Sequence, residues 1–234
     1  MHTILSFTKY ENPQPIMPLH SQKKLTNQAE IGLWKIEEKE VFFLEQLLLT
    51  REEERYIAKI KGHRRLEWLA SRLLLHKMTG RKKRSASLKD ENGKPFLIDS
   101  LYDISISHSR ELAAVIAAPQ PVGIDVQKIV DKIERIAHKY MRDEEMDSLK
   151  PETRLEHLHV YWGAKEALYK AYGRRQLDFK QHIFINPFDY DVTNGSFSGY
   201  TKKGEEYMAF NLNYEIVEEE YVLVYGTEDT PLIT

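Results

Sequence analysis

One stretch, Tyr161 to Gly173 (YWGAKEALYKAYG), limits the folds open to this 234-residue chain more than any other. At 3.6 residues per turn, Trp162, Glu166 and Lys170 recur every four residues on one face of a helix, while Tyr161, Ala164, Leu168 and Tyr172 gather on another side. A helix with this pattern buries its apolar side in a core and points an acid and a base from the other. The same Glu166–Lys170 spacing also describes an ordinary solvated ion pair, worth ~0.2–0.5 kcal/mol, so the rest of the chain has to decide between the two.

The chain is long enough for one large domain or two small ones, and with 41% hydrophobic and 30% charged residues it should bury a sizeable core and stay soluble. A net charge of −2 gives no global pull towards nucleic acid or membrane. With no cysteine, disulfides, thiol catalysis and cysteine metal sites are excluded, which fits a reducing compartment. The start, MHTILSFTKYENP, lacks the basic region and apolar stretch of a secretory signal, and Val41 to Leu49, broken by Glu45 and Gln46, is too short to span a bilayer. A cytoplasmic protein with no membrane segment is expected.

In order, a strand is expected over Thr3–Tyr10, then an irregular path at Pro13, Pro15 and Pro18. Helices follow over 39–49, over 51–61 with Thr50 and Glu53 at capping-box spacing, and over 64–78 with Leu66, Leu69, Ala70, Leu73 and Leu74 on its core face. Between Lys59 and Arg84 ten basic residues stand against one acid, Glu67. Such a run is a solvated face, a site for a highly anionic small molecule or acidic protein, or a nucleic-acid surface. Phe96–Ile98 reads as a strand, and Ile104–Ser107 with Leu112–Ala118 as a hairpin with His108 near its tip. Val122–Gln127 reads as a strand with Asp125 and Gln127 on one side. A carboxylate inside a strand needs a partner, and a cation is one candidate. Residues 131–149 read as a helix, and the central helix as running from Pro151 to Tyr172. Phe184–Ile185, Phe188–Val192, Phe197–Tyr200, Met208–Ile216 and Tyr221–Tyr225 then read as an antiparallel sheet, with Asn194-Gly195 as a hairpin turn. A faint repeat pairs Trp68 with Trp162, Ala70 with Ala164 and Leu74 with Leu168. The expected fold is α+β: two similar halves, 1–118 and 119–234, each a long helix on a small antiparallel sheet, with a ligand cleft between them.

Five elements in order resemble the 4′-phosphopantetheinyl transferase superfamily, in its larger two-half, Sfp-like branch. They are Gly93-Lys94-Pro95, Ser107-His108-Ser109, Gly123-Ile124-Asp125-Val126, the stretch Tyr140 to Glu145, and Trp162-Gly163-Ala164-Lys165-Glu166-Ala167-Leu168-Tyr169-Lys170. The resemblance implies transfer of 4′-phosphopantetheine from coenzyme A to a serine of an acyl- or peptidyl-carrier protein, with Mg²⁺ as cofactor. It implies that Asp125 and Glu166 bind Mg²⁺, that Glu166 helps deprotonate the serine, and that Lys170 neutralises phosphate charge. Lys165 and Trp162 would line and order that face. His108, beside Ser107, would meet the 3′-phosphate of coenzyme A, helped by Lys94 and by Arg64 or Arg65. Gln127 stands where many members carry Glu, which leaves its place as a metal ligand open. Arg174, Arg175 and Lys180 are expected to face an acidic carrier protein, and the enzyme to act as a monomer. Two rivals remain: a non-catalytic coenzyme A-binding protein, motivated by Gln127, and a nucleic-acid module built on residues 59–84.

Overall fold

A computed structural model describes residues 19–25, 28–174 and 176–229. The strand expected over Thr3–Tyr10, the three prolines after it and Arg175 lie outside these residues. The protein is α+β with antiparallel sheets. Strands β1 (Leu19–Lys24), β2 (Glu30–Lys35), β5 (Asp103–Ser109) and β6 (Leu112–Ala118) form one sheet in the order β1-β2-β6-β5. Strands β7 (Val122–Lys128), β8 (Ile183–Ile185), β9 (Asn194–Lys203), β10 (Glu206–Val217) and β11 (Tyr221–Glu228) form a second, in the order β7-β11-β10-β9-β8. A two-stranded ribbon, β3 (Ser87–Lys89) and β4 (Pro95–Leu97), stands apart.

Alternation along the strands sets the layers. In β6, Ala113 and Val115 face helix α3 (His63–Thr79), whereas Leu112, Ala114, Ile116 and Ala118 pack against Val122, Ile124 and Val126 of β7 and Leu223 of β11. The opposite face of β11, at Val222 and Val224, meets helix α6 (Arg154–Tyr172). The two sheets therefore share a central core, with one long helix on each outer side. Helices α1 (Glu40–Gln46) and α2 (Arg51–Ile57) complete the α3 side, and α4 (Lys132–Tyr140) and α5 (Asp143–Asp147) the α6 side. The Thr50–Glu53 capping box forms as the spacing requires.

The Ile-Ser-Ile-Ser alternation of β5 has a specific use. Asp103, Ser105, Ser107 and Ser109 all turn towards β7. Asp103 Oδ2 accepts from Val122 N at 3.0 Å, Ser105 Oγ from Ile124 N at 3.2 Å and Ser109 Oγ from Lys128 N at 3.2 Å. Ser107 Oγ donates to Asp125 Oδ1 at 2.9 Å. Side chains thus satisfy the β7 edge where no backbone ladder reaches it.

Several elements differ from the sequence reading. Residues 131–149 hold two helices rather than one, because Met141 is extended and buried and Arg142 N donates to Glu145 Oε2 at 2.8 Å, turning the chain so that Glu145 enters the core. Phe188–Val192 is no strand: Phe188 and Tyr190 spend their rings on His157 and Tyr214 instead. Asn194-Gly195 opens β9 rather than making a turn. Gly195 stands opposite Tyr214, and a Cβ there would lie 2.5 Å from the Tyr214 ring.

His157 is a buried group outside the motifs singled out in the sequence. It stacks on Tyr161 at 5.0 Å, and among the described residues neither ring nitrogen has a hydrogen-bond partner. Burial, helped by the Lys150 charge, drives its pKa down to about 4. The unfolded chain binds a proton here below about pH 6.5, while the folded protein refuses it until about pH 4. Stability should therefore fall as pH drops through this window, by about 2 kcal/mol between pH 6.5 and 5. Urea unfolding at pH 7 and pH 5 should show this loss, and His157→Phe should reduce it. An identical acid dependence in the two proteins would show that His157 is not its source.

Candidate active site

The site forms where α6 rests on β7. A Cβ at Gly123 would lie 1.8 Å from the carbonyl oxygen of Ala167, so only glycine lets the helix backbone settle this close to the strand. Three residues on along α6, Lys170 Nζ donates to Asp125 Oδ1 at 2.7 Å, to Ile124 O at 2.9 Å and to Ser107 Oγ at 3.0 Å. Asp125 is 7% exposed. Glu166 stands one turn away on the open face of α6, half-buried. Burial and then the negative charge of Asp125 push its carboxyl above the usual range, with Lys170 opposing them. The simple solvated pair is not what forms: Lys170 turns to Asp125, not to Glu166. Two carboxylates whose charges repel each other in a half-buried place are a donor set suited to a divalent cation.

Beside this pair a cavity of about 280 Å³ is lined by Lys94, Ser105, His108, Tyr169, Lys170 and Arg72, among others. His108 Nδ1 lies 3.1 Å from Glu67 Oε2, which fixes the ring. Burial pushes His108 below the ordinary histidine value; Glu67 opposes this, and the cations Lys170, Arg72 and Arg64 add to it. The surroundings are therefore electropositive. Lys94 reaches in from the β3–β4 ribbon, its Nζ donating to Asp103 Oδ2 at 2.6 Å and to Ala171 O at 2.9 Å. Arg64 and Arg65 separate cleanly. Arg65 is bound to Glu40 at 2.8 Å and to Ile57 O at 3.0 Å, whereas Arg64 is exposed and its charge reaches His108.

Three residues expected at the site are placed differently. Lys165 is wholly buried, pairs with Glu145 at 2.9 Å and donates to Ile183 O and Phe179 O. It falls on the core side of α6, away from the open face that carries Glu166. Trp162 does share the face of Glu166 but packs edge-on against Tyr140 and tilted against Phe179, at 5.0 and 5.5 Å between ring centres. Gln127 faces α6 as Asp125 does, yet its amide is committed. Its Nε2 donates to His159 O at 3.0 Å, and its Oε1 accepts from His159 Nδ1 at 3.2 Å, since His159 Nε2 accepts from Val130 N. Among the described residues no three or more His, Cys, Asp or Glu side chains gather as a metal cluster, so the acidic set at the site is the Asp125–Glu166 pair.

Nor is the basic run a continuous charged stripe. Arg65 pairs with Glu40, Arg81 with Asp99 and Arg84 with Glu53, and Arg72 lies under the surface on Trp68. Arg174 pairs with Glu206, and Lys180 stands 3.8 Å from Asp143. The sequence reading missed Glu67 as the partner of His108; a single acid within ten basic residues was the available signal.

Fold and site together define an α+β protein with a carboxylate pair, a lysine and a basic cavity where two sheets meet. Residues 121–225, which include Asp125, Glu166 and Lys170, match the family model described as ACPS, the 4′-phosphopantetheinyl transferase superfamily. A relative from Aneurinibacillus migulanus, the 4′-phosphopantetheinyl transferase gsp, is 31% identical over 103 residues. That stretch is 43% of this chain and 41% of the relative.

Proposed function

We propose that this chain is a 4′-phosphopantetheinyl transferase that modifies a serine of an acyl- or peptidyl-carrier protein, using coenzyme A and Mg²⁺, and that it acts as a cytoplasmic monomer. The observation that carries the proposal is the set Asp125, Glu166 and Lys170 beside a basic cavity that Lys170 lines, within the stretch that matches the superfamily. In this reading residues 1–118 and 119–234 are halves of one duplicated plan, and coenzyme A lies in the cleft between them. Among the described residues no helix is long and apolar enough to cross a membrane.

In this reading Asp125 and Glu166 would hold Mg²⁺, which supplies charge neutralisation on the pyrophosphate of coenzyme A. Glu166 takes the proton of the attacking serine hydroxyl. A bond forms between that oxygen and the phosphorus bearing pantetheine. The bond from this phosphorus to the bridging oxygen breaks, and adenosine 3′,5′-bisphosphate leaves. Lys170 is held between Asp125 and Ser107, where its charge can pass to the phosphates once substrate arrives. Phosphoryl transfer asks mainly for positioning and charge stabilisation, and these residues provide both. Incubation of a carrier protein with this chain, coenzyme A and Mg²⁺, followed by mass spectrometry, should show a gain of one phosphopantetheine group. An unmodified carrier alongside tight coenzyme A binding would instead favour a non-catalytic binding protein.

His108, fixed by Glu67 on the cavity wall, is assigned to the 3′-phosphate. His108→Ala should raise the KM for coenzyme A by about tenfold or more, as loss of a charged contact does, and change that for 3′-dephospho-coenzyme A much less. Equal effects on the two substrates would remove His108 from that phosphate.

A further inference from the structure

Gln127 and His159 do no chemistry in the scheme above, yet they are bound to each other across the joint that carries the site. Asp125 and Gln127 both point from β7 towards α6, about 7 Å apart along the strand. Gly123, two residues before Asp125, receives the backbone of α6 at Ala167. Two residues after Asp125, the Gln127 amide meets the helix again. It lies against Gly163, where a Cβ would come within 3.2 Å of Nε2, and it binds His159 one turn earlier. Asp125 therefore stands between two points at which α6 is fastened to β7.

The second fastening suits an amide and not a carboxylate. Gln127 Nε2 donates to His159 O at 3.0 Å, and Oε1 accepts from His159 Nδ1 at 3.2 Å, so the amide uses a donor and an acceptor at once. A carboxylate has no hydrogen to give the carbonyl. The imidazole is 1% exposed and held from its far side, where Nε2 accepts from Val130 N at 2.9 Å. That bond places the ring proton on Nδ1, facing Gln127.

We infer that His159 is a positioning residue that keeps the site at two carboxylates: it holds the side chain at position 127 against α6, out of reach of a cation between Asp125 and Glu166. For the cation this rests on the proposed function; for the hold it rests on the hydrogen bonds alone. Position 127 shares a strand face with Asp125 and lies against Gly163, three residues before Glu166 on α6. A side chain released there has one carboxylate two strand positions away and the other within a helical turn. The imidazole, not distance, keeps it from them.

Gln127→Glu separates reach from restraint. Titration calorimetry with Mg²⁺ alone measures affinity, and urea unfolding measures the hold. By itself Gln127→Glu should change Mg²⁺ affinity by less than about threefold, and it should lower stability, since the carboxylate loses the bond to His159 O. Combined with His159→Leu, the same Glu should tighten Mg²⁺ binding by about tenfold or more, because a released carboxylate adds a charged oxygen ligand. His159→Asn keeps a donor near the place of Nδ1, so its combination with Gln127→Glu should stay close to Gln127→Glu alone. Equal affinities with Leu and Asn would make His159 a packing residue and overturn the inference. A tenfold gain from Gln127→Glu alone, or a His159→Leu double variant no tighter than Gln127→Glu, would also overturn it. A parent that takes no Mg²⁺, like all its variants, sinks the metal site of the proposed function instead. The hold is then decided by unfolding. His159→Leu and Gln127→Met should be non-additive by at least about threefold in the unfolding constant, and additive losses would overturn the hold. Should His159→Leu not fold, His159→Phe replaces it, keeping a ring and losing both hydrogen bonds.

Discussion

On the proposed function, Glu166→Gln is expected to lower kcat for carrier-protein modification by about 10²-fold or more, ~2.7 kcal/mol of transition-state stabilisation, while the protein unfolds within a few degrees of the parent. The side chain stands on the open face of α6, so the swap disturbs no packing, and Gln has nearly the helix propensity of Glu. What changes is charge and basicity. The carboxyl of Glu166 is raised by burial and by Asp125, so it ionises against resistance and accepts a proton readily. The amide can do neither. Neutralising it also relieves the repulsion with Asp125, so the metal-free variant should be no less stable than the parent. Thermal unfolding with and without Mg²⁺ gives a readout apart from turnover: stabilisation by Mg²⁺ should shrink. Near-normal turnover together with an unchanged response to Mg²⁺ would return Glu166 to the status of a surface acid.

The central helix and the Asp125 strand were legible because their signals are periodic. The four-residue recurrence of Trp162, Glu166 and Lys170 appears as the partly open face of α6, and Tyr161, Ala164, Leu168 and Tyr172 are all buried. The position of Lys165 was also readable, though it was not read. It sits four residues after Tyr161 and three before Leu168, on the core side, while its neighbour Glu166 is rotated by about 100° towards the open face. A motif naming the two together hides that difference. Strand β2 went unseen for a different reason. Four consecutive residues, Ile31 to Trp34, are buried on both faces, so it shows no alternation.

The environment of Gln127 was beyond the sequence. Period two put it beside Asp125 correctly, but its amide meets His159, 32 positions away. The serines of β5 show the same limit. Their alternation signalled a strand with one polar face, which ordinarily means solvent, and only the tertiary arrangement turns that face to β7. Short-range pattern therefore marked out many of the elements. Which polar groups satisfy one another across the fold was set by packing.

Lys165→Met should destabilise the protein by about 3–5 kcal/mol, the range for breaking one side of a buried ion pair. The lysine is wholly buried and Glu145 is 1% exposed. Desolvation pulls the Lys165 pKa down and Glu145 holds it up. Its Nζ ties Glu145 at 2.9 Å, Ile183 O at 2.9 Å and Phe179 O at 3.1 Å, so one ammonium joins α5, α6 and the segment leading into β8. Met keeps the stem but strands a carboxylate that, among the described residues, retains the amides of Arg142 and Ile185 as donors. Removing the partner as well, in Lys165→Met with Glu145→Gln, should recover part of the loss, because the uncompensated charge goes with it. Urea unfolding of the two single variants and the double variant measures this coupling. Activity separates the two roles open to Lys165. If it only positions α6, transfer per folded molecule should fall modestly and return in the double variant. A Lys165→Met protein of nearly parental stability that has lost transfer altogether would make Lys165 a catalytic group, as the motif alone suggested, and would require it to leave the core during turnover.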